Sequence, residues 1–488
     1  MRTLIFEKTA PEAAGVPGDS IIRFTKRLAA RRIPMHSLLL MRRDKLIFEG
    51  YYSPCRAETL HRMFSISKSF TAVAIGLLAD EGKLSLDDPI IRHFPEKLPE
   101  RVHPWIAATT IKDMLMMRSC HAATTYKLNM NTDWVESYFT TPPTHPAGTL
   151  FHYDTSAPHT LCALVEKMTG LSMLDYLKKK LAPLGFSDES YMVKDPFGVS
   201  LGGSGLVARS TDLLKFGYFI AHRGEVCGQQ LLSASYIDMA VSHLSDTCVT
   251  APVPSEAQGY GMQFWRGSHN GYTCYGMGGQ LIIFLPDYDL ICVTTADTQD
   301  VQGGNQQIYD ALYEEILPYI EDDALPVNPE KALLLEENVS SLRLEPLSGA
   351  CISATADEIN GKTFLVRSGT SDEVSGFESF TLRFERTSSG QQNGTLSFLH
   401  RQRPYSIQFG LGNMQTGTFP LYDQRYAASG AWLSDGTLYI MAHVIDAYVG
   451  SVHFQLSFGK DDLTVFMRKK EESLFQEFNG HLYCTVEK

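Results

Sequence analysis

The chain changes character near residue 321, and this constrains its fold more than any other feature. Upstream, helical and strand periodicities alternate; from about 345 onward, strand follows strand. The stretch between, "EDDALPVNPEKALLLEENVSSLRLEPLSG", is acidic, holds three prolines and reads as a linker with a short helix at 329–338. At 488 residues the chain exceeds the usual size of one domain. The expected division is residues 1–322, a linker at 323–344, and residues 345–488. In the last part, segments such as "SFTLRFE", "TLYIMAHV" and "VHFQLSF" are separated by turn signals at "NGK", "SSGQQNG", "SDG" and "GKDD". That spacing predicts an all-β barrel or sandwich.

The first part reads differently. A helix is expected at 20–31, then a hairpin over "HSLLLMRRDKLIFEGYY" turning at Arg42–Lys45. In "MFSISKSFTAVAIGLLADEGK", residues Phe70, Val73, Ala74, Leu77 and Leu78 mark one apolar helix face that ends at Gly82. Residues 100–150 are rich in turn signals. Leu161, Leu164, Val165 and Met168 mark a second helix, stopped by Gly170. "LGGSGLVARSTDLLKFG" is a glycine-rich turn leading into a helix capped by Ser210 or Thr211; no strand precedes it in a βαβ unit, which argues against a nucleotide loop. "YGMGGQLIIFLPDYDLICVTTAD" reads as two strands joined at Pro286–Asp289, and a helix follows at 305–320. The fold class is α+β: an antiparallel sheet flanked by terminal helices, with a helical insertion.

Composition narrows the function. The net charge of −12, with no basic stripe, argues against nucleic acid as a partner. No stretch of 18 apolar residues exists and the N-terminal apolar run is three residues long, so neither a membrane span nor a signal peptide is expected, and a cytoplasmic protein is. The nine cysteines are scattered with no C-x-x-C pair, and read as reduced, mostly buried thiols. No spacing suggests a metal, and no cofactor is implied.

The chemistry lies in Ser65-Ile66-Ser67-Lys68. One helical turn puts both side chains on one face. A serine hydroxyl becomes a nucleophile when an adjacent base takes its proton, and a buried lysine can be that base. The free N–H groups at a helix start favour an oxyanion. A capping serine beside a surface lysine fits the same letters. A second match, Ser457 to Lys460, lies in "SFGKDDLTVF" and reads as a hairpin turn.

Taken together and in order, "HSLLLMRRDKLIFEGYY", "MFSISKSFTAVAIGLLADEGKLSLDDPI", "FHYDTSAPHTLCALVEKMTG", "GGSGLVARSTDLLKFG" and "YGMGGQLIIFLPD" resemble the serine β-lactamase and penicillin-binding-protein superfamily. The likeness covers roughly residues 10–320 and is nearest to class C-like esterases, D-aminopeptidases and 6-aminohexanoate-dimer hydrolases. It implies that Ser65 is the acylated nucleophile, Lys68 its proton partner, and Tyr153 the tyrosine that shuttles protons to the leaving group and to water. It further implies an oxyanion hole from the backbone N–H groups of Ser65 and Met277, with Thr155, Gly276, Gly278 and Gly279 as substrate-binding candidates. A phenol acts as a base at neutral pH only beside a cation, a part Lys68 can play. His121 and His152, near these motifs, read as structural or rim residues.

Two departures matter. The second motif is Tyr153-Asp154-Thr155, without the family's asparagine, and "YGMGG" carries neither the cation nor the threonine of the third motif. The implied activity is hydrolysis of a small ester, amide or peptide, with weak or no β-lactamase activity. The alternative is a non-catalytic ligand-binding sensor on the same fold.

Overall fold

The strand Met35–Arg42 (β1) turns back through Arg43 and Asp44, both left-handed, to pair with Lys45–Tyr51 (β2). The computed structural model describes residues 3–386, 388, 392–471 and 473–487. It divides into one unit of Met1–Tyr51, Ala57–Thr298 and Gln302–Leu342, and a second of Tyr52–Arg56, Gln299–Val301 and Arg343–Lys488.

In the first unit β1 and β2 join a seven-stranded sheet. Its other main strands are Tyr272–Gly276 (β3), Gln280–Leu285 (β4) and Leu290–Ala296 (β5). The order is Glu7–Lys8, β2, β1, β5, β4, β3 and Trp265–Arg266, antiparallel except for the first pair. Every residue of β1 and β5 is buried, and their polar members pair there, as Ser37 Oγ does with Thr295 Oγ1 at 2.7 Å. Gly18–Ala30 (α1) and Gln306–Glu315 (α5), one near each end of the unit, pack together. Ile66–Asp80 (α2), Ser156–Thr169 (α3) and Ser210–Ala221 (α4) are the main helices between. The turn-rich stretch at 100–150 forms short helices such as Ile111–Leu115 and Trp134–Thr140.

Three local expectations change. The helix α2 does not show a single apolar face: Ile66 to Leu78 are all buried, because α2 is packed against both β3 and α3. Its polar residues survive there by pairing; Ser69 Oγ donates to Gln263 O at 2.6 Å and Thr71 Oγ1 to Gly202 O at 2.9 Å. Neither Ser210 nor Thr211 caps α4. Arg209 holds that position without a side-chain capping bond, while Ser210 Oγ pairs with Ser37 Oγ at 2.6 Å. The segment 275–297 contains the end of a third strand, since β3 stops at Gly276 and Met277–Gly279 form the turn into β4.

The second unit settles the barrel-or-sandwich alternative. Antiparallel strands run from Thr363 to Val486, and Gly410–Leu411 pair in parallel with Ser429–Gly430 to close the sheet on itself. Phe364, Phe380, Phe398, Phe409, Trp432 and Phe454 belong to its buried core. Ser457 and Lys460 fall at the hairpin between Val449–Phe458 and Asp462–Lys470, where Gly459 N donates to Asp462 O at 3.0 Å. The centre of the turn expected at "SSGQQNG", residues 389–391, lies outside the described residues.

Candidate active site

The chain reaches Ser65 from the short strand His61–Arg62, which pairs with Val207 and Ala208. Phe64, next in line, has a φ of 46°. A bulky residue in the left-handed region stores strain, and its neighbours hold it there. Met63 N donates to Leu206 O at 2.8 Å, and Ser67 Oγ both donates to Phe64 O at 2.6 Å and accepts from Leu206 N at 2.9 Å. The sharp bend puts Ser65 at the N-terminus of α2. Its hydroxyl makes no capping bond, so the capping explanation of Ser65 has no support.

Lys68 is 1% exposed, and its Nζ stands 2.9 Å from Ser65 Oγ and 2.8 Å from Gly203 O. The Gly203 carbonyl can only accept. One Nζ–H is therefore committed to it, and the amine is oriented toward the serine. Nζ also lies 4.8 Å from the centroid of the Tyr153 ring. Tyr153 precedes α3 and is half-buried. Desolvation drives its phenol above the usual range; the neighbouring Ser65 hydroxyl opposes the rise and nearby Glu256 adds to it. Burial thus favours the neutral phenol.

The remaining candidates fall around these three. Asp154 is buried, two residues before the first of α3, and accepts from Ser156 N at 2.7 Å and Ala157 N at 3.1 Å. Burial raises its carboxyl and those bonds hold it back. Thr155 packs on the Lys68 acceptor: a Cβ at Gly203 would lie 2.4 Å from Thr155 Cγ2. Gly276 ends β3 so close to the entry of α2 that a Cβ would sit 2.4 Å from Met63 O. Met277, Gly278 and Gly279 form the turn beyond it. Phe151, Tyr153, Tyr260, Trp265 and Tyr275 form one aromatic group, with Tyr153 and Trp265 centroids 5.3 Å apart. His121 is buried, bonded to Tyr138 O at 2.9 Å and pushed down to about 4 by burial, while His152 lies 4.9 Å from His145. Among the described residues no group of three or more His, Cys, Asp or Glu is placed to hold a metal ion.

One participant is not named by any motif: the Gly203 carbonyl that receives Lys68. The stretch "GGSG" was visible as a turn, but nothing in its letters says which carbonyl meets a lysine. The close approach gives a measurable expectation. Gly203→Ala places a methyl against Thr155 and should destabilise the first unit by about 1–3 kcal/mol. Urea unfolding followed by tryptophan fluorescence checks this, and an unchanged midpoint would mean the 201–206 loop shifts freely.

A buried Ser-x-x-Lys pair at a helix start, beside a tyrosine and the edge of an antiparallel sheet, defines a class of protein. The family model described as Beta-lactamase matches residues 22–313, and the chain belongs to that family. It is 22% identical over 291 residues to 6-aminohexanoate-dimer hydrolase of Paenarthrobacter ureafaciens, covering 54% of this chain and 73% of that one. It is 50% identical over 48 residues to the human mitochondrial serine beta-lactamase-like protein LACTB, covering 10% of this chain and 9% of that protein. A solved structure from Bacillus anthracis, assigned as a 6-aminohexanoate-dimer hydrolase, superposes with a TM-score of 0.51 at 18% identity, covering 64% of this chain and 86% of that one. That likeness shows the fold. No helix among the described residues is long and apolar enough to cross a membrane.

Proposed function

We propose that the chain is a serine hydrolase that cleaves a small ester, amide or peptide through an acyl-enzyme on Ser65. The observation that carries this is the lysine buried between Ser65 Oγ and Gly203 O. Lys68 Nζ takes the proton of the Ser65 hydroxyl as Oγ attacks the substrate carbonyl. The oxyanion is met by the N–H groups of Ser65 and Met277. Tyr153, whose phenol is protonated at neutral pH, gives its proton to the leaving group and recovers one from Lys68. Water then enters; its proton passes to the same pair as its oxygen attacks the ester carbonyl, releasing acid and restoring Ser65.

The third motif supplies no cation, so the substrate need not carry a carboxylate, and weak or absent β-lactamase activity follows. The name of the P. ureafaciens relative gives that protein a 6-aminohexanoate dimer as substrate. Only the class, a small ester, amide or peptide, is carried to this chain. A second reading is a sensor that acylates without turning over, favoured by the loss of the second-motif asparagine. Intact-mass spectrometry of wild type and Ser65→Ala with a fluorophosphonate and with a penicillin tests both. A fluorophosphonate adduct on wild type alone is expected, with a penicillin adduct faint or missing. No adduct on folded wild type would overturn the hydrolase. A stable adduct from a carboxylic ester, with no product beyond one equivalent, would favour the sensor.

A further inference from the structure

The turn from β3 to β4 contains two successive glycines, Gly278 and Gly279, with φ of 82° and 92°. Glycine restrains a backbone least, so this turn cannot hold a hydrogen-bond donor still by its own preferences. Its three carbonyls are held from outside the turn. Gln280 Nε2 donates to Met277 O at 2.8 Å, Thr298 N to Gly278 O at 2.9 Å, and Thr294 Oγ1 to Gly279 O at 2.8 Å.

Gln280 does the most of the three. Its side chain is fully buried, its Nε2 also donates to Ala296 O at 2.8 Å, and its Oε1 accepts from Ala296 N at 3.0 Å. Both donors and the acceptor are engaged, so one amide fastens the turn to the end of β5. On the other side of Met277, Gly276 is in register with Gln280 and pressed against Met63 O. Met277 is thus bounded by a residue fixed in the ladder and a peptide fixed by a side chain. Only its own two torsions separate its N–H from that fixed carbonyl.

We infer that Gln280 is the positioning residue of this site, its amide holding the Met277 peptide so that the Met277 N–H meets the substrate oxygen above Ser65. The inference rests on the hydrolase reading of Ser65. A donor helps only if it stands where charge will develop, and misplacement by about 1 Å costs about 10²-fold in rate. Gln280→Met fills the same space without holding the turn. It should lower kcat for p-nitrophenyl butyrate and the rate constant of fluorophosphonate labelling together, by about 10- to 100-fold, with KM within about threefold. Gln280→Glu keeps an acceptor for Ala296 N–H but cannot donate to Met277 O when ionised. It should fall in the same range and carries the test should the methionine variant not fold. Mere loss of structure would lower the fraction of protein that labels, not the rate constant of the fraction that does. A folded variant whose rate constant stays within twofold of wild type overturns the inference. Failure of wild type to label at Ser65 would instead overturn the hydrolase reading beneath it.

Discussion

Lys68→Met is expected to slow acylation of Ser65 by about 10²–10⁴-fold, the usual worth of a positioned general base. Methionine nearly fills the volume of the buried lysine stem, so the packing loss is small. The main structural cost is the unpaired Gly203 carbonyl, about 1–3 kcal/mol. The fluorophosphonate labelling rate reads the base directly, and circular dichroism shows whether the variant is folded. Tyr153→Phe supplies the contrast. A tyrosine acting as acid toward the leaving group matters little for a p-nitrophenolate and much for an amine. Ester turnover should then survive the phenylalanine far better than amide turnover. Wild-type labelling in Lys68→Met, with labelling lost in Tyr153→Phe, would exchange the two roles.

The second large effect concerns stability. Glu256 is fully buried, its Oε1 accepts from Tyr309 Oη–H at 2.9 Å, and its Oε2 has no partner among the described residues. Burial pushes its carboxyl up to about 8 from 4.5, and the tyrosine bond only partly offsets this. The folded state therefore holds a proton that the unfolded state releases near pH 4.5. Its contribution to stability is fully present below about pH 4.5, falls as pH rises toward 8, and is level above that. The loss is on the order of 3–5 kcal/mol. Glu256→Gln keeps an acceptor for Tyr309 and never ionises. Its urea midpoint, followed in the first unit, should match wild type near pH 5 and exceed it at pH 8.5. Parallel pH curves for the two proteins would show that Glu256 gains no charge in this range.

The parts legible in the sequence are those written by local patterns. Helical spacing places α2 and α3, the turn at Arg42–Lys45 places β1 and β2, and Gly170, with a φ of 69°, stops α3 where expected. Ser65 and Lys68 are one turn apart, so their proximity follows from helix geometry alone. Tyr153 was named through likeness to a family, and folding brings it to the same spot from a position 88 residues downstream of Ser65. What stayed hidden depends on partners distant in sequence. The all-round burial of α2 needs β3 and α3, and the role of "GGSG" needs the lysine it receives. Gln280 reads as an unremarkable polar residue at a strand start until β5 lies beside it.

By itself the sequence determined the two-part division of structural type, the main elements and the serine–lysine spacing, because each follows from periodicity, turn chemistry or one helical turn. The tertiary structure alone decided that Lys68 is buried against Gly203, that Tyr153 lies beside it and that Gln280 fastens the turn of Met277. These depend on desolvation and on hydrogen bonds across distant segments, such as Lys68 with Gly203, 135 residues apart. No local pattern encodes which carbonyl or which water-free space a side chain will meet.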